Sequence, residues 1–117
     1  MLFVKLWLTN NDFHNSIVLK KQTKMKPITR EVYLKWYEDM LFWRKFEDKL
    51  AAVYIQQKVR GFLHLYNGQE AVLAGALHAM DLSKDKMITA YRNHVQPIGM
   101  GVDPRKVMAE LYGKATG

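Results

Sequence analysis

The sequence predicts an α/β domain whose stretch here is mostly helical. Three observations carry that reading: a long run with apolar residues recurring at spacings of three and four, a second run rich in small residues, and the short apolar run Met87–Thr89. The last reads as a buried strand that delivers Tyr91 and Arg92 at its end, where an α/β fold exposes polar groups to a ligand.

The first element begins after Pro27. Thr29 is a helix-capping residue type with Glu31 in the following turn, and Trp36, Met40, Trp43, Phe46, Leu50 and Val53 then form one apolar face of a long helix. Lys35, Glu38, Asp39, Lys45, Asp48 and Lys49 lie opposite with mixed signs, which reads as solvated surface rather than a phosphate-binding stripe. The aromatic residues from Tyr33 to Tyr54 follow the helical period, so core and subunit interface are favoured over a cofactor box. The expected stop is near Gly61, a residue suited to the left-handed conformation at a helix end.

A second helix is expected from about Gln69 to Met80, with Gly68 at its entrance and Ala71, Leu73, Ala74, Gly75, Ala76 and Leu77 offering a small-residue surface for close packing. Asp81 to Lys86 is a charged loop, followed by the expected strand at Met87–Thr89. Asp103 before Pro104 is a strong helix start, with an N-cap acceptor beside a preset first-turn φ. Val107, Met108 and Leu111 give that helix its apolar stripe, and Gly113 ends it.

With 117 residues the chain holds one small domain at most, and 49% hydrophobic with 12% aromatic residues is too apolar for a disordered tail. No apolar run reaches the roughly 18–20 residues of a membrane-spanning helix. The chain has no cysteine, which excludes a disulfide framework, a Cys-ligated zinc and a thiol nucleophile. The net charge of +7 is uneven: residues 1–24 carry Lys5, Lys20, Lys21 and Lys24 against Asp12, which leaves an ordinary balance elsewhere and a weak argument for nucleic acid. Those first residues match neither a secretory signal nor an Arg-rich presequence, and Met25 stands directly before the patterned helix. Residues 1–24 therefore read as an N-terminal extension, and 25–117 as the domain portion.

The chemistry-bearing residues gather in three clusters at element boundaries: Arg60–Tyr66, Asn67–Glu70 and Ile88–His94. Arg92 offers phosphate oxygens a planar fork of donors, and the Tyr91 hydroxyl adds one more hydrogen bond. For His64 and His94 spacing alone favours hydrogen-bonded structural imidazoles over catalytic ones, and His78 reads as a packed or surface histidine. No Gly-x-Gly-x-x-Gly, phosphate-binding loop, His-Glu-x-x-His or Gly-x-Ser-x-Gly occurs, and the two serines, Ser16 and Ser83, lie in the extension and the charged loop.

At these clusters the sequence resembles the alpha subunits of thiamin diphosphate-dependent pyruvate dehydrogenases, over most of Met25–Gly117. RGFLHLYNGQEAVLAG is similar to that family's Arg-Gly-Phe-x-His-x-x-x-Gly-Gln-Glu-Ala pattern, ITAYRNH to its Ile-Thr-x-Tyr-Arg-x-His, and AELYGKATG to its Ala-Glu-Leu-x-Gly-Lys/Arg-x-x-Gly. Three motifs in order are far more specific than any one. The resemblance implies the mostly helical N-terminal portion of a thiamin diphosphate-binding fold, incomplete in this chain. It implies that Tyr91 and Arg92 hold the diphosphate end of the cofactor, that His64 faces the 2-oxo acid, that His94 lies near the same site, and that Gly68, Gln69 and Glu70 position the helix entrance.

The same resemblance implies oxidative decarboxylation of pyruvate with acetyl transfer to lipoyl groups, in a heterotetramer with a beta subunit that supplies the activating carboxylate. The lipoyl acyltransferase is the further implied partner, and the compartment is the bacterial cytoplasm, or the mitochondrial matrix in a eukaryote. Val95 stands where the family pattern has glycine. The chain's last residue, Gly117, precedes the Gly-Asp-Gly…Asn segment that holds the family's Mg²⁺, so no metal ligand is expected in this chain and the piece alone is expected to be inactive. The Gly-Phe-x-His arrangement favours pyruvate over the branched-chain 2-oxo acid enzyme; the acetoin enzyme is the other relative. From another class, the alternatives are a small basic helical binding module using Lys20, Lys21 and Lys24, or a helical interaction protein using the aromatic helix.

Overall fold

The long helix, α1, spans Arg30–Ile55, with Thr29 extended at its N-cap. The computed structural model describes residues 26–117, so the expected extension at 1–24 lies outside the described residues. Three further helices follow: α2 (Glu70–Ala79), α3 (Val95–Gly99) and α4 (Pro104–Leu111).

The inner face of α1 is the expected one. Trp43, Phe46, Leu50 and Val53 are buried, and Trp36 and Met40 are half-buried against them. Full burial of a side chain such as Leu50 contributes about 1.5–3 kcal/mol. One cluster joins Trp43 and Phe46 to Tyr66, Leu73, Ala74, Val95 and Val107; a second joins Leu50 and Val53 to Val59. Met108 and Leu111 of α4 pack against both, which makes α4 the element that closes the two halves together.

α1 ends earlier than Gly61. The Gln57 N–H donates to the Tyr54 carbonyl at 2.8 Å and the Lys58 N–H to the Val53 carbonyl at 3.1 Å, while Gln57 itself takes φ 57°. That pair of bonds is a Schellman cap, closed by glutamine at the position where glycine is usual. Gly61 also takes a positive φ, 88°, but in the following loop, where its carbonyl accepts a bond from the Tyr54 hydroxyl at 2.8 Å.

α4 follows its local chemistry at both ends. The Asp103 carboxylate accepts the Arg105 N–H at 2.8 Å, and beyond the helix Gly113 at φ 64° lets Lys114 donate to the Ala109 carbonyl at 2.9 Å. α2 matches its expected span to within one residue at each end. Of its small residues only Ala74 joins the core, while Ala71 and Gly75 are exposed. Close packing comes instead from α3: a Cβ on Gly99 would lie 2.6 Å from Leu77 Cδ1 and 3.2 Å from Trp43 Cζ2.

The strand expected at Met87–Thr89 is not formed within the described residues. No strand forms among the described residues, so over 26–117 the architecture is helical and the α/β expectation finds only its helical part. Met87 packs on the core, but Ile88 is 99% exposed and no backbone partner runs beside the segment. A strand exists only through its ladder, and this apolar run has none to join.

Candidate functional site

The site is built where the loop after α1 meets the segment before α3. Both are irregular backbone, held by side chains rather than by a ladder. His64 and Tyr91 place their rings 5.4 Å apart, tilted by 46°. Beside them Nη1 of Arg92 donates to the Leu65 carbonyl, so the two sequence clusters, 22 or more residues apart, are tied at adjacent points.

Tyr91 and Arg92 are consecutive residues in the left-handed region, φ 57° and 46°. Such a conformation costs on the order of 1–3 kcal/mol for each non-glycine residue and persists only where the surroundings impose it. Tyr91 remains 75% exposed and Arg92 is exposed. Arg92 forms no ion pair among the described residues. Its other nitrogens and the Tyr91 hydroxyl have no hydrogen-bond partner there either. An exposed guanidinium, a phenol and an imidazole gathered at one place form a donor set suited to phosphate and carboxylate oxygens.

His94 faces another way. Its Nδ1 lies 3.0 Å from Oε1 and 3.3 Å from Oε2 of Glu47, a residue of α1 with no exposure. The rest of the ring borders an open cleft of about 390 Å³ lined by Lys58, Arg60, Leu63 and Glu110 among others. Val95, which follows, is fully buried as the first residue of α3 and has no positive φ, so its backbone makes no demand for the glycine of the family pattern.

The Asn67–Glu70 cluster is a brace. Glu70 is buried at the start of α2, receives two hydrogen bonds from Arg44 of α1, and accepts the Gly68 N–H at 3.0 Å. The Asn67 amide donates to Asp48 at 2.7 Å. Hydrogen bonding from Arg44 holds the Glu70 carboxyl below its usual range, and burial pushes the neighbouring Tyr66 hydroxyl up. His78 lies away from this site, edge-on to Trp36 at 5.2 Å with Nε2 3.2 Å from the Lys26 carbonyl.

Sequence reasoning missed Glu47 and Arg44. The available signal for Glu47 was its register, four residues after Trp43 and three before Leu50, which puts a carboxylate on the apolar face. No group of three or more His, Cys, Asp or Glu side chains able to hold a metal occurs among the described residues. No described helix is long and apolar enough to cross a membrane.

Comparison with known proteins places residues 38–117 in a match to the family described as Dehydrogenase E1 component. The chain is 50% identical over 90 residues to the Pyruvate dehydrogenase E1 component subunit alpha of Porphyra purpurea, covering 77% of this chain and 26% of that protein. It is 49% identical over 90 residues to the chloroplastic subunit alpha-3 of Arabidopsis thaliana, covering 77% and 21%. It is 46% identical over 97 residues to the subunit alpha of Rickettsia prowazekii, covering 83% and 29%. The chain thus spans about a quarter of the length of these curated relatives.

Proposed function

The chain belongs to the Dehydrogenase E1 component family, and on that premise we propose that it is the N-terminal part of a pyruvate dehydrogenase E1 alpha subunit. The observation that carries the reading is the junction of His64, Leu65, Tyr91 and Arg92, which gathers a substrate-type imidazole and phosphate-type donors from two separate motifs. Residues 25–117 then form part of one α/β thiamin diphosphate-binding domain, with Met87–Thr89 reaching a ladder supplied by the rest of the subunit.

The donors present fit a diphosphate: among the described residues Arg92 keeps nitrogens free beyond the one spent on Leu65, and the Tyr91 side chain is exposed next to it. Thiamin diphosphate, when bound, supplies the carbanion chemistry that releases carbon dioxide from a 2-oxo acid. The residues of this chain bind and orient. Arg92 and Tyr91 donate to diphosphate oxygens, and their tether to the 60–66 loop fixes those donors relative to His64. His64 donates to an oxygen of pyruvate, and its contact with the Tyr91 ring holds substrate and diphosphate ends in register. The Glu70 brace keeps the loop between α1 and α2 in place behind them.

The Mg²⁺ that accompanies the diphosphate takes its ligands from outside this chain on this reading. The partners are a beta subunit in a heterotetramer and the lipoyl acyltransferase that receives the acetyl group. The compartment follows the source: bacterial cytoplasm, or an organelle such as the mitochondrial matrix.

The test uses the full-length subunit assembled with its beta partner. Wild type is expected to bind thiamin diphosphate and to turn over pyruvate in preference to branched-chain 2-oxo acids. Arg92→Ala is expected to weaken cofactor affinity by about tenfold or more, as loss of a charged hydrogen-bond donor implies. His64→Ala is expected to lower turnover of pyruvate while cofactor affinity stays near wild type. A wild-type protein that binds no thiamin diphosphate would overturn the reading.

A further inference from the structure

Glu47 has no exposure and shares the inner face of α1 with Trp43, Phe46 and Leu50. A carboxylate in such surroundings is costly unless paired. Among the described residues the partner of both its oxygens is one atom, Nδ1 of His94, 47 residues along the chain.

His94 stands at the N-cap of α3, two residues after the left-handed pair Tyr91–Arg92. That strained turn is held on both sides. Upstream its contacts are to the 60–66 loop, through the Leu65 carbonyl and the exposed His64 ring. Downstream the chain is fastened into the core, by His94 on Glu47 and by the fully buried Val95. Of the polar ties on the turn, the one to Glu47 reaches a rigid helix.

We infer that Glu47 is a positioning residue: by holding Nδ1 of His94 it pins the Tyr91–Arg92 turn to α1 and so fixes the donors that face the diphosphate. The inference rests on the cofactor reading given above. An ionised Glu47 accepts from Nδ1–H, and a protonated one donates to Nδ1; both arrangements engage the same ring atom. The charged neighbours in the two clefts that the ring borders are Lys58 and Arg60 from the loop after α1 and Lys106 and Glu110 from α4.

The experiment compares Glu47→Leu and Glu47→Gln in the full-length subunit assembled with its beta partner. Thiamin diphosphate affinity is measured by calorimetric titration, and amide exchange is followed over residues 91–95 in the cofactor-free protein. Glu47→Leu is expected to weaken affinity about tenfold and to speed exchange across that segment, while Glu47→Gln, whose carbonyl still accepts from Nδ1–H, stays within about threefold of wild type. Glu47→Met serves the same comparison if the leucine variant does not assemble. Wild-type affinity and exchange in the apolar variants would overturn the inference, and so would equal loss in the leucine and glutamine variants together with a lowered Tm, which marks a merely structural role. Failure of wild type to bind thiamin diphosphate would instead overturn the cofactor reading beneath it.

Discussion

Glu70 is gripped at both oxygens by Arg44, with Nε 2.5 Å from Oε1 and Nη2 2.9 Å from Oε2. The same carboxylate accepts the Gly68 N–H, so one buried side chain ties the middle of α1, the turn before α2 and the start of α2. A planar guanidinium and a carboxylate meeting in two parallel bonds give direction as well as energy.

Replacing Glu70 by glutamine keeps the size and removes the charge, and should cost about 1–3 kcal/mol in a urea titration. The pH dependence follows from the depressed carboxyl. Its contribution is fully present above the ordinary value of 4.5 and is lost as pH falls through the lower folded value. Wild type should therefore lose stability on acidification through that range more steeply than Glu70→Gln; parallel curves would refute the assignment.

Gln57 offers a gain rather than a loss. It occupies the left-handed position of the Schellman cap that ends α1, at φ 57°. Glycine has no Cβ to strain there, so Gln57→Gly is expected to raise stability by about 0.5–1 kcal/mol, read as an increase in urea midpoint at unchanged m-value.

These two sites divide what the sequence reveals from what it conceals. Periodicity exposes the inner face of α1 because burial along one helix repeats over about five turns, from Trp36 to Val53. The Asp103–Pro104 start of α4 is legible because capping is settled within three residues. The stop at Gln57 is not, since the local signal for a left-handed end points to glycine at 61. α3, five residues containing Pro97, is too short to show a period, and its place depends on Gly99 meeting Leu77 and Trp43. The strand reading of Met87–Thr89 finds no ladder among the described residues, because pairing is a non-local property that 26–117 alone do not supply. In the site, the residue types at His64, Tyr91 and Arg92 announce their chemistry, but the Glu47–His94 pair spans 47 positions and leaves only a carboxylate in apolar register as its trace.

The contact at Gly99 is a sharp test of the packing of α3. An added methyl would fall 2.6 Å from Leu77 Cδ1, with Trp43 at 3.2 Å behind it. The leucine tip can give way, but the tryptophan sits 2% exposed in the core and has nowhere to move. Gly99→Ala is expected to destabilise by about 1–3 kcal/mol, and a stability equal to wild type would mean that α3 stands further from α1 than described.

The outer face of α1 yields the last prediction. Leu34, Tyr37 and Leu41 recur at helical spacing on the side away from Trp43, Tyr33 stands edge-on to Trp36 at the margin of that face, and all four are exposed. Phe62 and Ile88 add nearly complete exposure of two more large apolar side chains near the site. A free surface of this kind is unfavourable in water and binds apolar partners. A polypeptide of residues 25–117 made alone should therefore self-associate or bind an apolar dye such as ANS. Replacing Tyr37 and Leu41 together by lysine should reduce the association measured by sedimentation. A monomer with no dye binding in the unsubstituted polypeptide would show that this face is satisfied within the chain itself.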